Sequence, residues 1–65
     1  MKISYFQDTD TLHIALCSTG VVETRDLDEN TLLDLDESGE ICGITIEHAK
    51  TRSDIPQITF EQIAA

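Results

Sequence analysis

The sequence contains little of what small proteins use for cross-links and binding sites. Its 65 residues include no tryptophan, one tyrosine, one proline, three glycines, two cysteines and four basic side chains. Two cysteines are too few for the disulfide framework of a small secreted domain. No apolar run reaches the roughly 18 residues that a membrane-spanning helix needs. The composition therefore excludes a disulfide-stapled scaffold and a helical membrane protein.

The pattern of the opening residues does not predict a secretory leader. Lys2 is followed by the polar pair Gln7 and Asp8 before an apolar stretch of signal-peptide length has formed. We therefore expect a cytoplasmic protein whose thiols stay reduced and which makes no membrane contact.

Acidic side chains dominate the charge. Thirteen aspartates and glutamates against four basic residues give a formal net charge of −9. Nucleic-acid affinity depends on many Lys and Arg contacts to phosphate, and only Lys2, Arg25, Lys50 and Arg52 are present. Direct nucleic-acid binding and adsorption to an anionic membrane are disfavoured, whereas a basic protein partner is compatible. The same charges keep a small domain soluble and discourage promiscuous pairing of its strand edges.

Chain length limits how large a core can form. A domain of this size buries only about 60% of the surface that its unfolded chain exposes, so its stability is marginal. Small domains gain further stability from disulfides, a metal or a partner subunit. Since the chain has no disulfide framework, we predict a homodimer that is stabilised by a self-associating edge of the sheet.

Short segments of alternating apolar and polar residues, separated by acidic turns, make up the chain between residues 2 and 47. Because successive strand side chains point to opposite faces, this period predicts strands with one buried face. Short connections join antiparallel neighbours, since a parallel pair needs a crossover of about a dozen residues or more. We predict a mostly β (α+β) fold, an antiparallel β-meander of four to five strands at residues 2–6, 11–17, 21–27, 31–36 and 40–47.

The alternation also predicts which side chains share the buried face: Leu12, Ile14, Leu16, Leu33, Leu35, Ile44 and Ile46. For the third strand, the pattern leaves both orientations open. On the outer face we expect four residues to lie near one another and to form a contact for a partner: Phe6, Ala15, Cys17 and Leu32. In the turn before the last strand, Gly39 supplies the positive φ that a tight hairpin needs.

The composition changes after His48. The next six residues contain no apolar side chain larger than alanine and hold two of the four basic residues. We therefore assign residues 1–50 to the β-meander domain and residues 51–65 to a C-terminal tail.

Two conformations are open for the end of the tail. Thr59 and Gln62 match the start of a capping box, which predicts a short helix at residues 59–65. So short a helix forms only when it is docked on another element. The alternative is an extended strand that uses Ile58 and Phe60.

A set of short motifs runs through the first 50 residues: M-K-I-x-Y at the start, Asp8-x-Asp10-x-Leu12-x-Ile14-x-Leu16, Val22-Glu23-Thr24, Leu33-x-Leu35-Asp36 and Gly39-x-x-x-Gly43-Ile44-x-Ile46. Together they resemble the YuzE-like family of short bacterial proteins, catalogued as a domain of unknown function. The resemblance implies a small β-rich domain with an additional C-terminal element. It implies no activity or catalytic residue, and by analogy with paired small genes it suggests an antitoxin-like partner. After Lys50 the sequence departs from the family.

The acidic turns contain two incomplete calcium loops. In the first, five oxygen-bearing residues fall on ligand positions of a twelve-residue loop: Asp26, Asp28, Asn30, Asp34 and Glu37. Thr31 stands where that loop needs glycine, and its β-branch resists a positive φ. The second loop has its glycine, in the residues Asp34, Asp36, Ser38 and Gly39, but has Thr45 in place of the bidentate acid. We expect solvated turns and no bound metal, and a divalent-cation-binding domain is the alternative function.

Histidines and cysteines form a second candidate metal set: His13, Cys17, Cys42 and His48. A zinc site needs four ligands that converge on one point. Strand parity places the first two on the face opposite the apolar residues and the other two on the apolar face. We therefore predict no zinc site and structural roles for these side chains.

Catalytic constellations are absent from the sequence. None of the serines belongs to a G-x-S-x-G elbow, and no P-loop or dinucleotide motif occurs. On a strand, His13 and Cys17 are about 13 Å apart, too far for a base to activate a thiol. We expect no enzyme, no cofactor and no catalytic residue. The predicted function is a protein–protein interaction module, a homodimer that also serves as the antitoxin-like partner of a basic protein.

Overall fold

The computed structural model describes residues 1–18 and 20–64, which form one sheet followed by one helical turn. The predicted fold class is confirmed: the chain is mostly β and antiparallel, with a short C-terminal helix. Its strands are Lys2–Phe6 (β1), Thr11–Ala15 (β2), Glu23–Asp28 (β3), Thr31–Leu35 (β4) and Ile41–Glu47 (β5), and the helix α1 is Ala49–Arg52.

The strand order across the sheet is β1-β2-β5-β4-β3, and every neighbouring pair is antiparallel. β3, β4 and β5 form a continuous meander, and the β1–β2 hairpin lies beside β5. The connection from β2 to β3 therefore passes the ends of β5 and β4, which lie between them in the sheet. Leu16 N donates to Cys42 O at 2.9 Å, and Val22 N donates to Leu35 O at 3.0 Å. The last strand in the chain thus lies at the centre of the sheet.

Strand limits agree closely with the alternation pattern. β1 coincides with its predicted segment, and the other strands differ at their ends by one or two residues. Two bulges contribute to the difference. The register shifts between Asp26 and Asp28, and Leu35 pairs with Ile41 so that Cys42 is the extra residue. A bulge adds a residue that a period of two cannot predict.

The turn between β4 and β5 confirms the predicted role of Gly39, whose φ is 84°. Asp36 organises this turn, because its Oδ1 accepts bonds from Ser38 N at 2.9 Å and Glu40 N at 3.0 Å. These contacts, with the Ser38 hydroxyl as the largest contributor, hold the pKa of the Asp36 carboxyl below its usual value. The turn is therefore built from local side-chain bonds to the backbone.

The register confirms that the predicted apolar residues share one face. Ile14 lies opposite Ile44, and Ile44 lies opposite Leu33 on its other side. Burial is lower than expected. Of the residues predicted for the core, Leu12 and Leu35 are buried, Leu16 is 42% exposed, and the others are half-buried. Leu16 leaves the core because β2 has ended and the chain has begun its path toward β3.

Two distant turns anchor α1. Asp10, at φ 53°, accepts a bond from Ala49 N through its carbonyl at 3.0 Å and one from Lys50 N through its carboxylate at 3.1 Å. On the other side, Asn30 O accepts from Arg52 Nη1 at 2.9 Å. Ala49 is completely buried. These contacts fix the helical turn against the end of the sheet.

The structure corrects the position of the C-terminal helix, which lies at Ala49–Arg52 and not at residues 59–65. Residues 58–64 have no regular secondary structure, and Ala65 lies outside the described residues. A short helix needs a docking contact. The segment Ala49–Arg52 has two such docking contacts, with Asp10 and with Asn30, whereas among the described residues the capping-box match at Thr59 has no docking contact to support a helix.

Candidate interaction surface

One side of the sheet carries most of its apolar strand residues, and we call it the apolar face. By register it comprises Ile3, Tyr5, Leu12, Ile14, Thr31, Leu33, Leu35, Cys42, Ile44 and Ile46. No charged side chain of β1, β2, β4 or β5 shares this side. The charges there belong to the edge strand β3, where Arg25 Nη2 and Glu23 Oε2 form a salt bridge of 2.9 Å. The centre of the face is therefore uncharged.

The apolar face is covered at its ends and open in the middle. Leu12, next to α1, is 7% exposed, while Leu35 and Cys42, next to the β2–β3 connection, are 6% and 3% exposed. Between them Ile14 and its partners on β4 and β5 are only half-buried, and Ile3 on the edge is 40% exposed. Within the described residues, no large side chain is completely buried. A sheet normally buries such a face against a second layer.

The accessible surface of the molecule, to which the exposed residues after α1 contribute, is large for its mass. It is 5130 Å², whereas a compact monomer of the same mass exposes about 4,100 Å². The radius of gyration is 12.9 Å, against about 10.7 Å for a compact chain of this length. The molecule is a slab of 35 × 32 × 18 Å. It therefore exposes about 1,000 Å² more than a closed domain would.

The opposite side of the sheet contains a hydrogen-bonded group that we call the polar cluster: His13, Thr24, Asp34 and Gly43. His13 Nε2 lies 3.1 Å from Asp34 Oδ2, and Thr24 Oγ1 donates to Asp34 Oδ1 at 3.0 Å. His13 is on β2 and Asp34 on β4, so the contact passes over Gly43 on β5. A Cβ at Gly43 would lie only 2.7 Å from Asp34 Oδ2. The missing side chain makes room for the carboxylate.

The partner contact predicted on the outer face does not form as one patch. Phe6 lies on the edge strand β1 and Leu32 on β4, and β2 and β5 separate them. Cys17 lies beyond the end of β2, away from the strand position that parity assigned to it. The larger open apolar surface is instead the face predicted to be the core, because the sheet has no second layer over it.

Cys17 and Cys42 are in contact, although strand parity predicted opposite sides of the sheet. Burial raises the pKa of the Cys42 thiol, and the hydrogen-bonded Cys17 thiol adds to the increase. Parity is wrong here because β2 ends at Ala15. His13 belongs to the polar cluster, and His48 precedes α1 with φ 56°. The candidate zinc ligands therefore do not converge, and within residues 1–18 and 20–64 no group of three or more His, Cys, Asp or Glu could hold a metal ion.

The acidic residues of the two calcium-like stretches bind local donors. Asp28 Oδ1 accepts from Asn30 N at 2.8 Å, and Asp36 serves the turn between β4 and β5. Both predicted loops share the carboxylate of Asp34, and this carboxylate contacts His13 in the polar cluster. The stretches do not fold into loops that surround a common point, and this geometry does not favour the cation-binding alternative.

The β1–β2 hairpin carries a strongly perturbed titratable pair. The Tyr5 hydroxyl donates to Asp10 Oδ1 at 2.6 Å. This bond raises the pKa of Tyr5 to about 12 and lowers the pKa of the Asp10 carboxyl. Because Asp10 also binds the first turn of α1, the pair joins the edge of the apolar face to the helix.

Several of these residues carry little signal in the sequence. Asp34 and His13 are 21 residues apart, and Asp10 and Lys50 are 40 residues apart. Nothing local marks either pair. Gly43 is different, because a glycine inside an alternating strand indicates a bulge or a close approach of another group.

These features define a class: a small acidic single-sheet protein with one open apolar face. The chain belongs to the DUF2283 family, described as protein of unknown function, which matches residues 2–50. The match covers all five strands and the start of α1. No curated protein and no solved structure matches the chain significantly. Among the described residues, none of the helical structure is long and apolar enough to cross a membrane.

Proposed function

We propose that the protein is a protein–protein interaction module that acts as a homodimer through its apolar face. The observation that carries this proposal is the open face, whose central residues Ile14, Leu33 and Ile44 are only half-buried because no second layer covers them. A standard interface buries about 800 Å² on each partner. A second copy laid on this face supplies the missing layer and completes the core of both chains.

The distribution of charge favours a second copy as the first occupant. The four strands that form the apolar face place no charged side chain on it, so most of the net charge of −9 lies elsewhere. Two such faces meet without burying an unpaired charge, which is strongly destabilising. An isologous contact of this kind also closes at two molecules.

A basic protein is the second partner that we propose, in an antitoxin-like role consistent with the YuzE-like resemblance. Every residue of the edge strand β3 is exposed, and it includes Glu23, Asp26 and Asp28. A net charge of −9 speeds the encounter with a basic surface, while apolar burial sets the affinity. In this proposal the protein is cytoplasmic and has no catalytic activity.

Sedimentation equilibrium of the purified full chain tests the homodimer. We expect twice the 7.2 kDa of one chain. Ile3→Lys places a charge on the open part of the apolar face and should weaken the dimer at least about tenfold. Phe6→Lys is the matched control, because Phe6 is 55% exposed on the opposite side of the same strand and the substitution adds the same charge. A monomer at high micromolar concentration, or equal weakening by both variants, rejects the proposed interface.

A further inference from the structure

The last part of the chain exposes apolar side chains at high density. We call residues 55–64 the C-terminal arm. Ile58 is 57% exposed, Phe60 78% and Ile63 74%, and Glu61 is the one charged residue in the arm. Segments that stay solvated are normally polar and poor in aromatic and β-branched residues. The arm therefore has the composition of a segment that binds to an apolar surface.

The arm makes little contact with its own chain. Within the described residues, the last backbone hydrogen bond runs from Gln57 N to Asp54 O, at 2.8 Å. Asp10 and Asn30 fix α1 from two sides and so set the direction in which the arm leaves the sheet. One molecule thus exposes an apolar arm and an open apolar face, and neither covers the other.

We infer that, in the proposed homodimer on which this inference rests, the arm of each copy lies across the apolar face of the other copy. The dimensions agree. Ten extended residues span about 33 Å, which is more than the roughly 19 Å that separates the two edge strands of a five-stranded sheet. In an extended backbone Ile58 and Phe60 point to the same side. That side meets the half-buried row Ile14, Ile44 and Leu33.

Reciprocal exchange is the arrangement that covers all of the open surfaces. Each copy gives one arm and receives one, so the assembly closes at two molecules and leaves no face uncovered. A one-way exchange would leave an open face and propagate into a chain of molecules. The contact joins an uncharged face to an arm with one charged side chain, Glu61. In an extended backbone Glu61 points to the side opposite Ile58 and Phe60, so its carboxylate can stay in solvent.

A photoreactive residue locates the arm directly. With p-benzoyl-phenylalanine in place of Phe60 in the full chain, we expect a cross-linked product of two chain masses. Peptide mapping should place the second attachment point on β2, β4 or β5. The same photoreactive residue at Phe6, on the opposite side of the sheet, serves as the control and should not label these strands of the other chain. A cross-link within one chain, or between chains at a site away from the apolar face, overturns the inference.

Paired substitutions separate this inference from the homodimer itself. The full-length double variant Ile58→Ser and Phe60→Ser should raise the dimer dissociation constant at least about tenfold. The control double variant Phe6→Ser and Val22→Ser removes one aromatic and one β-branched side chain that are 55% and 65% exposed, and it should leave the constant within about twofold. If the arm variant dimerises as tightly as the parent, the arm inference fails and the homodimer stands. If the parent is monomeric at high micromolar concentration, both fail.

Discussion

At the scale of single residues, a few side chains join elements that are far apart in the sequence. Asp10 is the main example. Its αL conformation, at φ 53°, turns the β1–β2 hairpin so that its carbonyl and carboxylate both reach α1. The same carboxylate accepts the Tyr5 hydroxyl. One aspartate therefore determines how the helix and the first strand are held together.

The Tyr5–Asp10 bond predicts an unusual tyrosine titration. Tyr5 is the one tyrosine of the chain and there is no tryptophan, so the ultraviolet absorbance of the protein directly reports the ionisation of Tyr5. We expect it to ionise with a pKa of about 12. Asp10→Asn tolerates the αL conformation but removes the charge, and the pKa should fall toward the ordinary value of about 10. Asp8→Asn in the same turn is the control. A parent titration at the ordinary value contradicts the bond.

The same pair predicts how stability depends on pH. Because the folded Tyr5 pKa is raised, its contribution is present below about pH 10 and is lost as the pH rises toward the folded value of about 12. The folded Asp10 pKa is lowered, so its contribution is present above the unfolded value of about 3.9 and is lost as the pH falls below it. The free energies of unfolding of the parent and of Asp10→Asn, measured by denaturant melts, should therefore become similar at both high and low pH.

At the scale of elements, the sheet depends on close approach between its three inner strands. β5 lies between β2 and β4, and at Gly43 it lets a side chain from β4 reach across to β2. Asp34 uses that space to contact His13, while Thr24 on β3 holds its other oxygen. The hydrogen bonds of the polar cluster thus join β2, β3 and β4 across β5, on the side opposite the apolar face.

Gly43→Ala tests this arrangement. The new Cβ lies 2.7 Å from Asp34 Oδ2 and 3.2 Å from Asp34 Cβ, so the carboxylate must move and lose its partners. We expect a loss of about 1–3 kcal/mol in the free energy of unfolding. Gly20→Ala is the control, since nothing lies within 4 Å of its Cβ, and it should change stability by less than about 0.5 kcal/mol.

A double-mutant cycle identifies the cause of the loss. In an Asp34→Ala background the carboxylate oxygen at 2.7 Å is gone and only the Cβ at 3.2 Å remains, so Gly43→Ala should destabilise the protein much less. Interaction energies between contacting residues reach about 0.5–3 kcal/mol. Additive effects of the two substitutions would show that the close approach to Asp34 is not the reason.

At the scale of the whole molecule, one layer of sheet carries one open apolar face. The slab is 18 Å thick, and no large side chain of the described residues is completely buried. Domains of this kind reach stability by adding a layer. The proposed dimer adds that layer from a second copy, with the arms crossing the faces between them.

The net charge predicts the salt dependence of the dimer. Two copies with a charge of −9 each repel one another. Raising the salt shortens the screening length from about 30 Å at 0.01 M to about 8 Å at 0.15 M. The dimer dissociation constant should therefore fall as salt rises, whereas association with a basic partner should become slower. Sedimentation and stopped-flow mixing measure the two effects, and a dimer that weakens with salt contradicts an uncharged interface.

The sequence by itself determined the local features of the sheet. Alternation located β1 to the residue and the other strands to within one or two residues, because a period of two reflects the geometry of the extended backbone. The same period placed Ile14, Leu33 and Ile44 on one face. Gly39 could be assigned its positive φ because turn chemistry is local.

Only the tertiary structure decided how these parts are combined. Inner strands share one pattern of alternation, so nothing in the sequence placed β5 between β2 and β4. The helix lies at Ala49–Arg52 because its acceptors, on Asp10 and Asn30, come from turns 40 and 22 residues away. The apolar face could be predicted as a surface but not as an open one. Whether it is covered depends on a second layer, and that layer is a long-range property of the whole chain.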